Sequence, residues 1–310
     1  MSSPLQAVCA KHFAGKGKPE RIGRPHTGKF NETWFFSLAD RELVFRMAPP
    51  TDAGFLFYEK NMMAQEPAIH AAVRSRTRIP VPEILVYDAA CDAVPRPFLV
   101  MERLPGEPLT ARPDVDENDV FRRVGEHLGE LHRSVIGERY GYVGAHKPME
   151  PAATWAAAFA VMWNKMLDDI VACDGYDLKQ ADSMRRLLER DRAVFDRRVP
   201  ACLLHMDIWH QNILVDSRGQ VTGIVDWDRA LYGDPEIEFA VLDYCGVSIP
   251  SFWEGYGSQR DDSADARLRG VYYYLYELQK YIVIRALRSK NRRDALRYAN
   301  AALRIANTIA

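Results

Sequence analysis

The segment LLHMDIWHQNILVD, residues 203–216, contains a dense set of side chains that could do chemistry. A carboxylate such as Asp207 can orient or accept the proton of a hydroxyl group, and the amide oxygen of Asn212 can bind a hard cation. Asp226 follows fourteen residues after Asn212, in IVDWD, and adds a second oxygen ligand. These groups suit phosphoryl transfer, in which one carboxylate orients the attacking hydroxyl and the other two oxygens hold Mg²⁺ against nucleotide phosphates.

The two histidines of this segment allow a different interpretation. His205, Asp207 and His210 resemble the two-histidine, one-carboxylate face of a non-haem iron site. An iron site would leave Asn212 and Asp226 without a role, so phosphoryl transfer is favoured. In that case His205 braces the loop, and His210 either lines a pocket or faces solvent.

The elements around this segment must bring its side chains together. Upstream, apolar residues recur every three or four positions from Phe121 to Val135, which predicts an amphipathic helix. Similar patterns predict helices over 155–170, 178–195 and most of 264–310. Downstream, the runs NILV and VTGIVDW flank a turn and predict a hairpin that would place Asn212 beside Asp226.

The first hundred residues predict a small sheet interrupted by one long helix. Ser2 or Ser3 before Pro4 is a typical helix cap, so a short helix to about Phe13 is expected. The run ETWFFSLADRELVFRM predicts a hairpin, and FLVM predicts another strand. Between them, residues 55–73 have helical spacing.

Composition indicates a globular protein without an obvious macromolecular partner. Of the 310 residues, 47% are hydrophobic, and 41 Lys and Arg nearly balance 42 Asp and Glu. This balance argues against nucleic acid or an anionic membrane as a partner, and no stretch is long and apolar enough for a membrane span. Five scattered cysteines without a C-x-x-C pair favour a reducing, cytoplasmic location. We expect a cytoplasmic monomer or homodimer.

The pattern His205-x-Asp207-x-x-x-x-Asn212, followed by the D-W-D element at Asp226 and preceded by V-M-E-x-x-x-G, resembles a known family. It is similar to the aminoglycoside phosphotransferase and choline kinase-like group of small-molecule kinases, over roughly residues 21–240. The resemblance implies an α+β, bilobal protein-kinase-like fold with a small N-terminal antiparallel sheet lobe and a larger, mostly helical C-terminal lobe. The nucleotide-binding lobe would comprise residues 1–101, and the catalytic and acceptor-binding lobe residues 102–310.

The family resemblance also implies roles for individual residues. Asp207 would be the catalytic carboxylate, Asn212 and Asp226 would bind Mg²⁺, and ATP or GTP would be the donor. The loop GKFNET would cover the phosphates through Gly28 and Asn31.

Two further pairs of residues are implied in the N-terminal part. Arg46 stands where kinases commonly have lysine and would steady the phosphates, with Glu66 as its expected partner and Glu59 as the alternative. Backbone groups of Met101 and Arg103 would contact the purine.

Several nearby residues have roles that the sequence leaves open. Met206 stands where many family members have glycine, and the bulky pair Trp209 and His210 could line the acceptor pocket. Asp228 is either a third acidic group near the metal or a loop cap. Glu277 is a candidate for holding a cationic acceptor.

Other charged residues are expected to be structural. Asp234 and Glu238 resemble positions that stabilise the C-terminal lobe, and the basic run over residues 285–297 suits a solvated helix face.

These features predict a phosphotransferase that moves the γ-phosphoryl group of ATP or GTP to a hydroxyl of a small molecule, such as an aminoglycoside or another antibiotic. A metabolic kinase acting on choline, a sugar or an amino alcohol is the main alternative, and a nucleotide-binding pseudokinase is another. Protein kinase activity is disfavoured because DWD replaces DFG and no A-P-E element follows.

Overall fold

The computed structural model describes residues 3–27, 30–50 and 54–310. Its first part is a sheet with two helices. The elements are α1 (Pro4–His12), β1 (Glu20–Thr27), β2 (Glu32–Leu38), β3 (Arg41–Met47), α2 (Glu66–Arg76), β4 (Ile84–Asp88) and β5 (Phe98–Glu102). As expected, Ser3 caps α1, because its hydroxyl accepts a hydrogen bond from the Gln6 amide and Pro4 occupies the first turn.

The remainder of the chain is mostly helical, with short strands between the helices. The elements are β6 (Glu107–Pro108), α3 (Glu117–Ser134), β7 (Ile136–Gly137), α4 (Trp155–Ala172), α5 (Leu178–Arg190), β8 (Ala201–Leu204), β9 (Ile213–Val215), β10 (Val221–Ile224), β11 (Leu231–Gly233), α6 (Pro235–Cys245), α7 (Pro250–Tyr256), α8 (Ala264–Val283), a π-helical segment (Ile284–Arg288) and α9 (Arg292–Ala306). No helix in the described ranges could cross a membrane.

The five-stranded sheet has the order β1-β2-β3-β5-β4, and all neighbouring strands are antiparallel. Arg46 lies on the central strand β3, between Thr33 of β2 and Leu99 of β5. Because side chains alternate along a strand, Phe45 faces the core under α1 while Val44 and Arg46 share the opposite face. This alternation aims Arg46 towards α2.

The helix after β3 starts later than its spacing predicts. Residues 55–56 have no regular structure, residues 57–61 form turns, a 3₁₀ turn covers Met62–Gln65, and α2 begins only at Glu66. Pro67 explains this start, because proline lacks an N–H and fits the first turn of a helix but not its interior. The prediction of helix from residue 55 was therefore wrong in its first part.

Helix α3 confirms the apolar stripe expected from the sequence. Val124 and Leu128 are fully buried, as are their neighbours on the same face. The buried side of α3 contacts α7 through two glycines: a Cβ on Gly125 or Gly255 would overlap the backbone of the opposite helix. This close approach fixes α3 against α7, and α3 in turn packs against β8, which leads into the loop.

Two small sheets hold the segment with the candidate catalytic residues. Strand β8 pairs with β7 and β11, and β9 pairs with β10 and β6, so residues 205–212 connect one sheet to the other. The predicted hairpin is confirmed: the Val225 amide donates to the Asn212 carbonyl at 3.0 Å, next to Asp226. All five cysteines are free thiols, in agreement with the expectation from their spacing.

Candidate active site

Asp207 lies in the loop between β8 and β9, with its carboxylate held from two sides. Its Oδ1 accepts from Arg229 Nη1 at 3.0 Å, and its Oδ2 accepts from Asn212 Nδ2 at 3.2 Å. Burial opposes ionisation, but the charges of Arg229 and Lys280 outweigh it, so the pKa of Asp207 lies below its ordinary value. The carboxylate is therefore ionised at neutral pH and can accept a hydrogen bond from a hydroxyl.

His205 braces this loop, as expected, and its contacts fix its tautomer. Its Nε2 lies 3.0 Å from the Val225 carbonyl, which can only accept, so Nε2 carries the proton. Its Nδ1 accepts from the Asp207 amide at 3.2 Å. Burial lowers the pKa of His205, and both of its nitrogens are engaged, so it is a neutral structural link between the loop and the hairpin.

A buried carboxylate holds the start of the same loop. Glu238 on α6 accepts from the backbone amides of His205 and Met206 at 2.8 and 2.7 Å, and from His132 Nε2 at 2.8 Å. Burial raises the pKa of Glu238, but the bond from His132 outweighs it and the pKa is lowered overall. Glu238 therefore has a structural role, as expected. It holds the backbone amides of His205 and Met206, the two residues before Asp207.

Met206 has a left-handed backbone conformation, with φ of +65°. This conformation is strained for a residue with a side chain and would suit glycine better. The Met206 side chain is buried in the core of the helical part, so packing compensates for the strain. Substitution of glycine by methionine here leaves the catalytic groups in place.

Asn212 and Asp226 lie at the open end of the hairpin, where the Val225 amide donates to the Asn212 carbonyl. Asn212 directs its Nδ2 to Asp207, at 2.8 Å from the carbonyl, which leaves its Oδ1 as the atom able to bind a cation. Asp226 follows β10 with φ of +70°, a conformation that aspartate tolerates better than most residues. Its carboxylate is 38% exposed, so a ligand can reach it.

Arg46 joins the two parts of the protein by contacting three carboxylates. Its Nη1 donates to Glu66 at 2.7 Å, and its Nη2 lies 2.9 Å from Asp226 and 3.5 Å from Asp228. Glu66 is therefore the partner of Arg46, and the alternative partner, Glu59, is not. The group has two more carboxylates than cations, so it attracts further positive charge.

Two of these acids, Glu66 and Asp228, have raised pKa values, mainly because they are buried. Burial raises the pKa of Glu66 to about 7, against the opposing effect of Arg46. Burial also raises the pKa of Asp228 well above its ordinary value, and the charges of Asp226 and Glu66 raise it further. Asp228 is thus a third acidic group at this place, which the sequence had left open.

A second buried network lies beside Asp207, and the sequence did not reveal it. Arg229 contacts Glu59 at 3.6 Å as well as Asp207, and Glu59 accepts from Arg288 at 2.9 Å. Glu59 also accepts from the Leu56 amide. Arg288 belongs to the basic run predicted to be a solvated helix face, and that prediction was wrong for Arg288, because its side chain is only 14% exposed and is paired with a buried acid.

The structure describes three of the four other residues expected to contact the nucleotide. Gly28 lies outside the described residues. Asn31, in the same loop, is buried with its Nδ2 3.5 Å from Asp228. Met101 pairs with strands on both sides, and the Arg103 amide donates to the Glu42 carbonyl, so a purine could use that amide only by displacing Glu42.

The iron interpretation does not fit the geometry. His205 uses both nitrogens within the fold, and His210 points towards Glu117, at 3.4 Å, with its ring against Phe121. Within the described ranges, no group of three or more His, Cys, Asp or Glu side chains is arranged to hold a metal. A pair of hard oxygen donors such as Asn212 and Asp226 instead suits Mg²⁺, which keeps several of its waters.

Comparison with known proteins identifies the family. The sequence profile of the phosphotransferase enzyme family matches residues 23–303. The chain belongs to this family. A viomycin phosphotransferase from Streptomyces vinaceus is 30% identical over 153 residues, which cover 47% of this chain and 49% of the relative. The mouse acyl-CoA dehydrogenase family member 10 is 22% identical over 252 residues, 77% of this chain but 22% of that relative. The chain thus spans about half the length of the first of these relatives and about a fifth of the second.

Solved structures of this family share the fold. An aminoglycoside phosphotransferase, APH(4)-Ia, in a ternary complex with AMP-PNP and hygromycin B matches with a TM-score of 0.65 and 18% identity, over 98% of this chain and 99% of that one. A protein named as a fructosamine-3-kinase from Haemophilus somnus matches with a TM-score of 0.69 and 16% identity, over 98% and 96%. The expected bilobal α+β kinase-like fold is confirmed.

Proposed function

We propose that this protein transfers the γ-phosphoryl group of ATP or GTP to a hydroxyl of a small molecule, with Mg²⁺ as the metal ion. The observation that carries the proposal is the link from Asp207 to Asp226: Asn212 contacts Asp207 and pairs through its carbonyl with the amide of Val225, and the next residue, Asp226, contacts Arg46. Membership of the phosphotransferase enzyme family supports it.

The metal fits the residues present. The group around Arg46 has an excess of carboxylates, and the free Oδ1 of Asn212 and the exposed carboxylate of Asp226 are hard oxygen donors. Asn212 and Asp226 would hold Mg²⁺, which supplies neutralisation of the phosphate charge when bound. Arg46, fixed by Glu66, would steady the phosphates with a planar fork of donors.

Asp207 has the position and the charge for the proton-accepting role. Its ionised carboxylate would accept the hydrogen bond of the acceptor hydroxyl and orient a lone pair of that oxygen towards the γ-phosphorus. The new oxygen–phosphorus bond forms as the bond from the γ-phosphorus to the bridging oxygen breaks. ADP or GDP leaves, and the hydroxyl proton passes to Asp207. Arg229 and Asn212 keep the carboxylate in place throughout.

The proposal extends to the whole chain. Residues 1–101 would bind the nucleotide, with Gly28 and Asn31 over the phosphates and Met101 and Arg103 near the purine, and residues 102–310 would supply catalysis and acceptor binding. We also propose a cytoplasmic monomer or homodimer.

The acceptor is a small molecule in this proposal, and two classes have support. Relatives named for viomycin and hygromycin B favour an antibiotic. A structural neighbour named for fructosamine favours a metabolite, as in the alternative of a sugar, choline or amino-alcohol kinase. A pseudokinase is the remaining alternative.

The proposal is tested by the variant Asp207→Asn in two assays. Thermal shift with Mg·ATP reports nucleotide binding, and ADP release with a panel of hydroxyl acceptors reports transfer. We expect the variant to keep the thermal shift and lose at least about a hundredfold in turnover. Asp262→Asn, at an exposed carboxylate, is the matched control and should behave like the wild type. A wild-type protein that shifts with Mg·ATP but phosphorylates nothing is a pseudokinase, and one that does neither refutes the proposal.

A further inference from the structure

Building on the proposed function, we propose that the acceptor carries an anionic group, a carboxylate or a phosphate ester, and that the α8 end binds this group. The α8 end is defined here as residues 280–288, which include Lys280, Arg285 and Arg288. The anion would lie beside the hydroxyl that receives the phosphoryl group.

A chain of three contacts places the α8 end next to the catalytic carboxylate. Asp207 contacts Arg229 at 3.0 Å, Arg229 contacts Glu59 at 3.6 Å, and Glu59 contacts Arg288 at 2.9 Å. The Arg288 guanidinium also lies over the ring of Phe30, at 5.3 Å, in the loop expected to cover the phosphates. The α8 end therefore borders the space through which an acceptor must approach Asp207.

The carboxylates that border this space are already paired. Glu59 is buried, accepts hydrogen bonds from Arg288 and the Leu56 amide, and forms an ion pair with Arg229. Glu277 is buried, with Oε1 2.6 Å from Lys280 Nζ. A polycationic acceptor needs unpaired carboxylates to replace the water around its ammonium groups. Glu277, a candidate for a cationic acceptor from the sequence, does not offer one.

Two acidic residues of α6 are also paired with arginines. Glu236 is bound by Arg269 and Arg197, and Asp243 by Arg260. These pairs leave little free negative charge on the helical side of the site.

The cations of the α8 end, in contrast, have unused donors. The Nε atoms of Arg285 and Arg288 are buried without a hydrogen-bond partner, and no ion pair of Arg285 occurs among the described residues. Lys280 is buried too; its ammonium, which has three protons to donate, forms an ion pair with Glu277 and lies over the ring of Tyr281. A planar guanidinium with free donors suits the paired oxygens of a carboxylate or phosphate.

The backbone of the α8 end is itself unusual. Residues Ile284–Arg288 form a π-helical turn, which is rare and occurs frequently at functional sites. Its wider turn changes the direction in which Arg285 and Arg288 leave the helix. Beside it, the rings of Tyr244, Tyr281 and Tyr298 stack at 5.0 and 5.2 Å and are half-buried, which gives the rest of the acceptor an aromatic surface.

The test uses acceptors that share a carbon skeleton and differ in charge: glycerate, glycerol 3-phosphate, glycerol and 3-aminopropane-1,2-diol, with hygromycin B as a polycation. ADP release by the full-length protein is measured with each. We expect the highest kcat/KM with the two anionic members. ADP release that is no higher with the anionic members than with the others overturns the inference but leaves the proposed function intact. Absence of a Mg·ATP thermal shift would instead overturn the proposed function itself.

Arg285→Gln is the best variant for this test, because it breaks no ion pair and orphans no buried acid. It should raise KM for the anionic acceptor about tenfold while KM for ATP stays unchanged, since one charge-assisted contact is lost. Arg285→Lys should recover part of the loss. Arg293→Gln, at an exposed position on α9, is the matched control. A rise in KM for ATP instead of the acceptor would assign these cations to the nucleotide and overturn the inference.

Discussion

Arg229 and Asp207 form an ion pair that fixes the candidate catalytic carboxylate, with Nη1 3.0 Å from Oδ1. Asn212 holds the other oxygen, so the carboxylate plane is set from two sides. Arg229 is in turn held by Glu59. The proton acceptor of the proposed reaction is therefore positioned by a residue that follows the D-W-D element directly.

Arg229→Gln should lower kcat by about 10- to 100-fold with little change in KM for ATP, because a carboxylate held from one side is oriented less well. Arg229→Lys should restore part of the activity, since it keeps the charge but not the fork. Steady-state kinetics with both variants measures this. Unchanged kcat in Arg229→Gln would mean that Asn212 alone orients Asp207.

Arg46 is the only arginine or lysine paired with Glu66, Asp226 and Asp228 among the described ion pairs. Arg46→Met should lower the free energy of unfolding by about 3–5 kcal/mol, because buried acids lose their partner. Arg46→Lys should cost less, since the sign of the charge is kept. Urea unfolding of the three proteins in EDTA measures the difference. Equal stability of Arg46→Met and wild type would show that the ion pairs of Arg46 do not stabilise the fold.

Asp226→Asn should abolish turnover, by at least about a hundredfold, while the fold remains. Asparagine tolerates the left-handed backbone at this position, and removal of one acid relieves repulsion with Asp228. Circular dichroism should therefore match the wild type, whereas the additional thermal shift produced by Mg²⁺ over ATP alone should disappear. A variant that keeps near-normal ADP release with a confirmed acceptor would show that Asp226 does not hold the metal.

Glu238→Gln should destabilise the protein by about 1–3 kcal/mol and also reduce kcat. The buried carboxylate accepts from three donors, and an amide side chain would turn one of its ends into a donor facing another donor. Denaturant unfolding and kinetics separate the two effects. Loss of stability with full kcat in the folded fraction would limit Glu238 to a structural role.

His70 should make the protein sensitive to mild acid. It is buried, its Nδ1 donates to the Pro82 carbonyl at 2.9 Å, and burial lowers its pKa to about 4 from an ordinary value of 6.5. Above pH 6.5 neither the folded nor the unfolded state is protonated at this residue, so stability is fully retained. Between pH 6.5 and 4 mainly the unfolded state binds the proton, so the free energy of unfolding falls, by about 3 kcal/mol in total.

The variant His70→Gln isolates this effect, because its amide can still donate to Pro82 and does not titrate. Urea unfolding at pH 7.5, 6 and 5 should show a shallower loss of stability in the variant than in the wild type. Parallel curves for the two proteins would show that His70 does not contribute to the acid sensitivity.

Much of the fold could be predicted because its signals are local. The hairpin around residues 39–41, the cap of α1 and the buried stripe of α3 all depend on residues a few positions apart. The predicted helix from residue 55 failed because the spacing of apolar residues there reflects tertiary burial. Leu56 and Tyr58 are buried in an irregular segment that packs against the helical part, without a helix of their own.

The sequence alone determined the core of the candidate site. Asp207 and Asn212 lie on one loop and Asp226 follows the hairpin behind it, so the contacts that link them are short-range, and their residue types predict the chemistry. The choice of Glu66 as the partner of Arg46, and the link from Arg229 through Glu59 to Arg288, were decided only by the tertiary structure. Glu59 and Arg288 are 229 residues apart in the chain. Local patterns cannot specify a pair so distant, because it exists only when α8 packs against the turns before α2 and both charges leave water together.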